Sequence, residues 1–174
     1  MKHLTKLAAL AVFALVISAC TTTKPTDTTD TGTTQSGPTA EQLAAQRAAE
    51  EARRAAAAEA ARIQALLDST TIYFGYDQDL IDSEYTEMLR LHAERMVAEN
   101  RSVTLEGHAD ERGTPEYNLA LGERRAKAVA QLLKTFGVSD SQIQVVSFGE
   151  ESPAMSGHSE SSWAKNRRVE LNYK

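Results

Sequence analysis

Residues 107–133, GHADERGTPEYNLALGERRAKAVAQLL, constrain the fold more than any other stretch of the chain. A short alternating segment, Ser102-Val103-Thr104-Leu105-Glu106, runs into Gly107. The stretch then closes on a helix-period pattern with Leu121, Ala126, Val129, Ala130 and Leu133 on one face. The polar residues between read as a loop. Strand, loop and helix together set the carboxylate of Asp110 fifteen positions before the guanidinium of Arg125, near the start of the helix as the pattern reads. Opposite charges presented at one loop edge suit a zwitterionic ligand, because an arginine fork takes a carboxylate through two parallel hydrogen bonds and an aspartate takes an ammonium. The same spacing also fits an exposed ion pair worth about 0–1 kcal/mol and no ligand.

The pattern Asn118-x-x-Leu121-Gly122-x-x-Arg125-Ala126-x-x-Val129-x-x-x-Leu133, preceded by Gly107-His108-Ala109-Asp110, resembles the signature of OmpA-like peptidoglycan-binding domains. The longer string GHADERGTPEYN resembles a lipid-anchored branch of that family, which works with the periplasmic Tol proteins TolB and TolA. The resemblance spans roughly residues 69–174 and fixes residue identity at more than a dozen spaced positions. It implies noncovalent binding of the peptidoglycan stem peptide, with the diaminopimelate ammonium at Asp110 and its carboxylate at Arg125. It further implies Tyr76, Asp77 and Thr114 as pocket wall. Asn118 and Leu121 match the motif and either touch ligand or hold the loop and core. Arg112 and Arg124 either meet other stem-peptide carboxylates or are surface charge. Arg168, which follows Asn166, either contacts ligand or pins its loop. The function implied is an anchor between outer membrane and cell wall that supports envelope integrity and cell division.

The N-terminus reads as a targeting segment over residues 1–19. Lys2 and Lys6 make a positive start, residues 7–17 an apolar run of eleven, and Ser18-Ala19 a small-residue site. Eleven residues fall short of the roughly 20 that span a bilayer. Cys20, the chain's single cysteine, follows at once and has no intrachain partner for a disulfide. Ile17-Ser18-Ala19-Cys20 resembles the bacterial lipobox, whose first position is more often leucine. That resemblance implies lipidation of Cys20, and two or more acyl chains hold a protein stably to a membrane. Ordinary cleavage beside an incidental thiol is the alternative, although Ile17 is bulky for it. Thr21 rather than aspartate follows the cysteine, which by resemblance implies sorting to the outer membrane of a Gram-negative bacterium, facing the periplasm.

Residues 20–39 read as a tether. Positions 21–39 hold ten threonines and no large apolar side chain, too little surface to offset ordering entropy, so disorder is expected. Composition then shifts to twelve alanines in residues 40–62, with Glu50 and Arg54 at i,i+4 spacing. A solvated helical spacer over residues 40–68, near 40 Å long at 1.5 Å per residue, is expected. The folded domain covers residues 69–174. Thr70, Ile72 and Phe74 alternate in a first strand, and Tyr85, Leu89, His92 and Met96 mark a helix over 81–100 with Asp82 or Ser83 as its cap. Val103 and Leu105 make a second strand, residues 124–136 most of a second helix ended by Gly137, and residues 143–148 a third strand. Residues 153–162 read as loop, and Val169, Leu171 and Tyr173 as the last strand. The order β-α-β-α-β-β predicts an α/β two-layer sandwich, a mixed four-stranded sheet with helices on one face.

A net charge of −5, without basic patches or basic-aromatic interleaving, argues against nucleic acid as a partner. His108, Asp110 and Glu111 lie close in sequence and offer an alternative, a peptidoglycan-modifying hydrolase using a general base. Neither His92, on the apolar face of the first expected domain helix, nor His158, in a remote loop, stands at zinc-ligand spacing from His108, so no metal or cofactor is expected. There is no G-x-S-x-G and no phosphate loop, and the expected function is binding rather than catalysis.

Overall fold

The computed structural model describes residues 38–174. The expected signal segment, Cys20 and the tether up to residue 37 lie outside the described residues.

Helix α1 spans Ala40–Asp68, 29 residues with no buried side chain, so it extends about 43 Å. Alanine's propensity and local ion pairs hold it. Arg54 meets Glu50 at 2.5 Å and Arg62 meets Glu59 at 3.0 Å. Among the described residues no helix is long and apolar enough to cross a membrane. At its C-terminal end Leu66 packs against the core. Just beyond, the Ser69 carbonyl accepts from His92 Nε2 at 2.9 Å, while the Tyr173 hydroxyl and His92 Nδ1 share a hydrogen bond at 2.6 Å. In the neutral imidazole Nε2 donates to Ser69 and Nδ1 accepts from Tyr173. Burial lowers the His92 pKa, against the upward pull of the Ser69 and Leu66 carbonyls.

The sheet contains β1 (Thr71–Tyr73), β2 (Val103–His108), β3 (Ile143–Gly149) and β4 (Arg168–Tyr173) in the order β1-β4-β2-β3. β4 is antiparallel to both β1 and β2, and β3 is parallel to β2. Helices α2 (Thr86–Glu99) and α3 (Pro115–Thr135) cover one face, as the sequence pattern predicts. Leu89 and Met96 from α2, Val129 and Leu133 from α3, and Leu105 and Leu171 from the sheet form the core. The pleat sends Thr104, Glu106 and His108 to the other face. Gly107 lets α3 settle on the sheet, since a Cβ there would overlap the carbonyl of Gly122.

Three boundaries differ from the sequence reading. The expected helix over 81–100 begins as a single 3₁₀ turn, Ser83–Tyr85, where Asp82 accepts from the Glu84 amide at 3.3 Å. Helix α3 starts at Pro115, nine residues before the expected 124. Thr114 caps it by accepting from the Tyr117 amide at 3.2 Å, and proline fits the first turn. Arg125 consequently sits about three turns into the helix. Residues expected as loop also contain α4 (Glu160–Asn166), capped by Ser159, whose Oγ accepts from the Ser162 amide at 3.4 Å.

Candidate functional site

Strand direction assembles the site. Because β1 and β2 both run antiparallel to β4, and β3 runs parallel to β2, the ends of β1, β2 and β3 meet the start of β4 at one sheet edge. A cleft of about 130 Å³ opens there. Leu121 and Arg125 of α3 form its floor, Tyr76 and Asp77 one wall, and Asp110, Arg112 and Gly113 another. Tyr117 and Asn118 complete the lining. Asp77 adopts a left-handed backbone, φ 53°, and its carboxylate receives the Tyr117 hydroxyl, bracing the mouth.

Asp110 and Arg125, neighbours in the cleft, stand in different electrostatic states. Asp110 Oδ1 accepts from the Arg112 amide at 3.1 Å and Arg112 Nε at 3.0 Å. Its Oδ2 accepts from Arg112 Nη2 at 2.6 Å and Arg167 Nη1 at 3.2 Å. Burial by itself would raise the Asp110 pKa, but the hydrogen bonds from Arg112 and Arg167 prevail and hold it below the ordinary carboxylate value. Arg125 is 0% exposed. It donates to the carbonyls of Gln78 at 2.7 Å, His108 at 2.8 Å and Gly75 at 3.1 Å. All three partners are neutral. Of the five N–H groups on a guanidinium, two remain for another acceptor. Burial and then the charge of Arg167 pull its pKa down to about 10, so Arg125 stays cationic at neutral pH.

Arg112 lies between aromatic rings, 4.1 Å from the centroids of Tyr76 and of Trp163 on α4. Cation–π attraction to both faces adds to its pairing with Asp110. Trp163 in turn donates its Nε1 to Glu111 at 2.7 Å, and His158 Nδ1 meets the same oxygen at 2.6 Å. Asn118 Nδ2 donates to the carbonyls of Asp110 at 3.0 Å and Arg112 at 3.1 Å, fixing the loop while also lining the cleft.

Thr114, expected as pocket wall, and Arg168 and Arg124, each left open between ligand contact and another role, stand outside the lining. Thr114 is not among the lining residues, because its hydroxyl is committed to capping α3. Arg168 also stays out of the cleft. It binds Glu170 at 2.5 Å and the Ser152 carbonyl at 3.3 Å, and so pins the loop after β3. Arg124 pairs with Asp79 at 3.4 Å outside the lining. The hydrolase grouping does not assemble, since His108 stacks on Phe148 with ring centroids 5.5 Å apart while Asp110 faces its two arginines. Sequence reasoning misses Tyr117 and Arg167. Tyr117 follows once Thr114-Pro115 is read as the helix start. Arg167 is found only once β4 is known to lie between β1 and β2. There it also donates to the Phe74 carbonyl at 3.0 Å and pairs with Glu160 at 2.7 Å.

Comparison with known proteins places this geometry. A peptidoglycan-associated lipoprotein of Pseudomonas aeruginosa is 53% identical over 107 residues, 62% of this chain and 64% of that protein. One from Pasteurella multocida is 50% identical over 104 residues, 59% of this chain and 69% of that protein. The match thus spans a little under two thirds of the Pseudomonas relative. The crystal structure of the peptidoglycan-associated lipoprotein from Burkholderia pseudomallei superposes with a TM-score of 0.62 at 43% identity, covering 63% of this chain and 93% of that one. The OmpA family model matches residues 73–167. With that model covering more than half of its 174 residues, and the cleft lying within the match, the chain belongs to the OmpA family.

Proposed function

We propose that the cleft binds the diaminopimelate residue of the peptidoglycan stem peptide, noncovalently, and that the chain anchors the outer membrane to the cell wall. The observation that carries this reading is Arg125, a buried cation with neutral partners and two uncommitted N–H groups, beside the ionised Asp110. A ligand carboxylate takes both N–H groups of Arg125 as a fork. The ligand ammonium takes the edge of Asp110 that Arg112 holds, while Arg167 stays behind the carboxylate. Arg112 then turns to a further stem-peptide carboxylate, with Tyr76 and Asp77 as wall. Asp110, its pKa held low, is ionised at neutral pH for this exchange. A cleft of about 130 Å³ suits the end of one amino acid, since a single water needs roughly 10–15 Å³ by the same measure.

The remainder of the chain fits this role as we read it. Residues 1–19 direct export, lipidated Cys20 holds the outer membrane, residues 20–39 form a tether, and residues 40–68 space the domain of residues 69–174 from the membrane. Periplasmic Tol proteins TolB and TolA are the proposed partners, in support of envelope integrity and division. Support comes from the sequence resemblance and from relatives that carry the name peptidoglycan-associated lipoprotein.

Retention on purified sacculi tests the cleft. Asp110→Asn and Arg125→Lys, which keep much of the local volume, are each expected to lose retention by roughly 30-fold or more. Wild-type retention by both would overturn the assignment. The anchor has its own test: Cys20→Ser is expected to leave the membrane fraction in a high-salt wash, and its persistence there would rule out the acyl anchor.

A further inference from the structure

The sheet face turned away from α2 and α3 carries a second cluster of chemistry-bearing side chains. Glu106 on β2 stands opposite Glu170 on β4 in the antiparallel register, and His108 lies two residues further along β2 on the same face. One ligand atom from each of the three lies within 4.8 Å of the others. His108 is 1% exposed, and neither of its ring nitrogens makes a hydrogen bond of normal geometry among the described residues, although the Ser152 backbone lies close enough to favour its protonated form. A neutral imidazole carries one donor and one acceptor, and leaving both unmet in the interior is a large cost that a native site ordinarily relieves. We propose that Glu106, His108 and Glu170 form a binding site for a divalent transition-metal ion, zinc fitting best.

The donor set selects the ion. One imidazole nitrogen and two carboxylates suit zinc, which binds such donors at about 2.0–2.2 Å. Calcium and magnesium favour all-oxygen shells. Donors of a tetrahedral zinc shell stand about 3.4 Å apart, so closing from 4.8 Å takes rotation of glutamate side chains that are only half-buried. Arg168 holds one oxygen of Glu170 at 2.5 Å and leaves the other, so it orients the carboxylate as an outer partner. With Arg168 counted, the cluster carries one net negative charge before a cation enters. The ion would bridge β2 and β4 directly behind the cleft, because the His108 carbonyl is itself a partner of Arg125. A search for paired histidines misses such a site, since strand register supplies Glu170.

Zinc titration of the chelator-stripped full-length chain in detergent, read by calorimetry and by ¹⁵N resonances of the imidazoles, tests this. We expect one zinc per chain, a shift of the His108 imidazole nitrogen, and binding weakened at least about tenfold in Glu106→Gln and in Glu170→Gln. Glu106→Gln should melt in chelator as the wild type does, whereas Glu170→Gln, which loses the charge paired with buried Arg168, should melt lower and is titrated well below its midpoint. His158→Ala should bind zinc as the wild type does, which separates this site from the exposed Glu111–His158 pair. The proposal is overturned if the wild type binds no zinc at about 1 mM, if the His108 signal does not move, if both glutamine variants bind normally, or if His158→Ala abolishes binding.

Discussion

Helices α1 and α3 are both charged, alanine-bearing segments, of 29 and 21 residues, yet α1 has no fully buried residue and sets only Leu66 at its C-terminal end against the core, while α3 buries eight residues. The first stands on its own backbone and local ion pairs. The second depends on what it packs against, and in return it can do what an exposed helix cannot. Burial lets α3 hold Arg125 as a cation with only carbonyl partners, where water would otherwise satisfy the charge. Arg54 on α1 finds Glu50 one turn away with both side chains exposed, so water and a local partner already satisfy its charge. In the proposed function, binding falls to the helix that sacrifices independence.

Four changes break or sharpen that contrast. The largest effect is expected from Arg125→Met, which strands the Gly75, Gln78 and His108 carbonyls. It should cost about 4 kcal/mol in denaturant unfolding. Next, Gly107→Ala forces α3 off the sheet and should cost about 2 kcal/mol while also weakening sacculus retention. A smaller loss is expected from acid at the junction of the two regions. His92 is neutral in the fold with its pKa below the ordinary 6.5, so the unfolded chain takes up a proton first. The His92 contribution is complete above pH 6.5 and is lost as pH falls below it, and His92→Gln should make the profile shallower over that range without flattening it, because burial also holds the His108 pKa down to about 4. The smallest effect on the domain belongs to Ala56→Gly. It should lower α1 helicity by about 1 kcal/mol of local stability in circular dichroism and leave the domain's unfolding midpoint unchanged. A matching drop in that midpoint would mean α1 is not independent.

Much of this architecture is readable from residue order. Alternation in Val103-Thr104-Leu105 and Val169-Glu170-Leu171 marks β2 and β4, and the helix-period run through Leu133 marks α3, because burial of one face imposes those periods. The placement of Asp110 and Arg125 at one edge also follows from strand–loop–helix order. What sequence leaves hidden are facts of spatial neighbourhood. Arg167 reaches Asp110 only because β4 inserts between β1 and β2, a topology that local pattern does not specify. The side chain of Arg168, one residue on, points into a different environment, and no spacing rule chooses between the two. α4 is hidden by a serine-rich composition typical of loops. The nine residues missed at the start of α3 were legible in Thr114-Pro115, a capping signal outweighed by the polar, glycine-flanked run around it.

The central claim is that Arg125 receives a ligand carboxylate. Calorimetry of the full-length wild-type chain with a diaminopimelate-containing muropeptide, against the same muropeptide amidated at the diaminopimelate side-chain carboxyl, tests it without altering the protein. Amidation removes the negative charge that matches the buried guanidinium, and affinity is expected to fall by roughly 30-fold or more. Equal affinity for the two ligands would contradict Arg125 as the anion receptor.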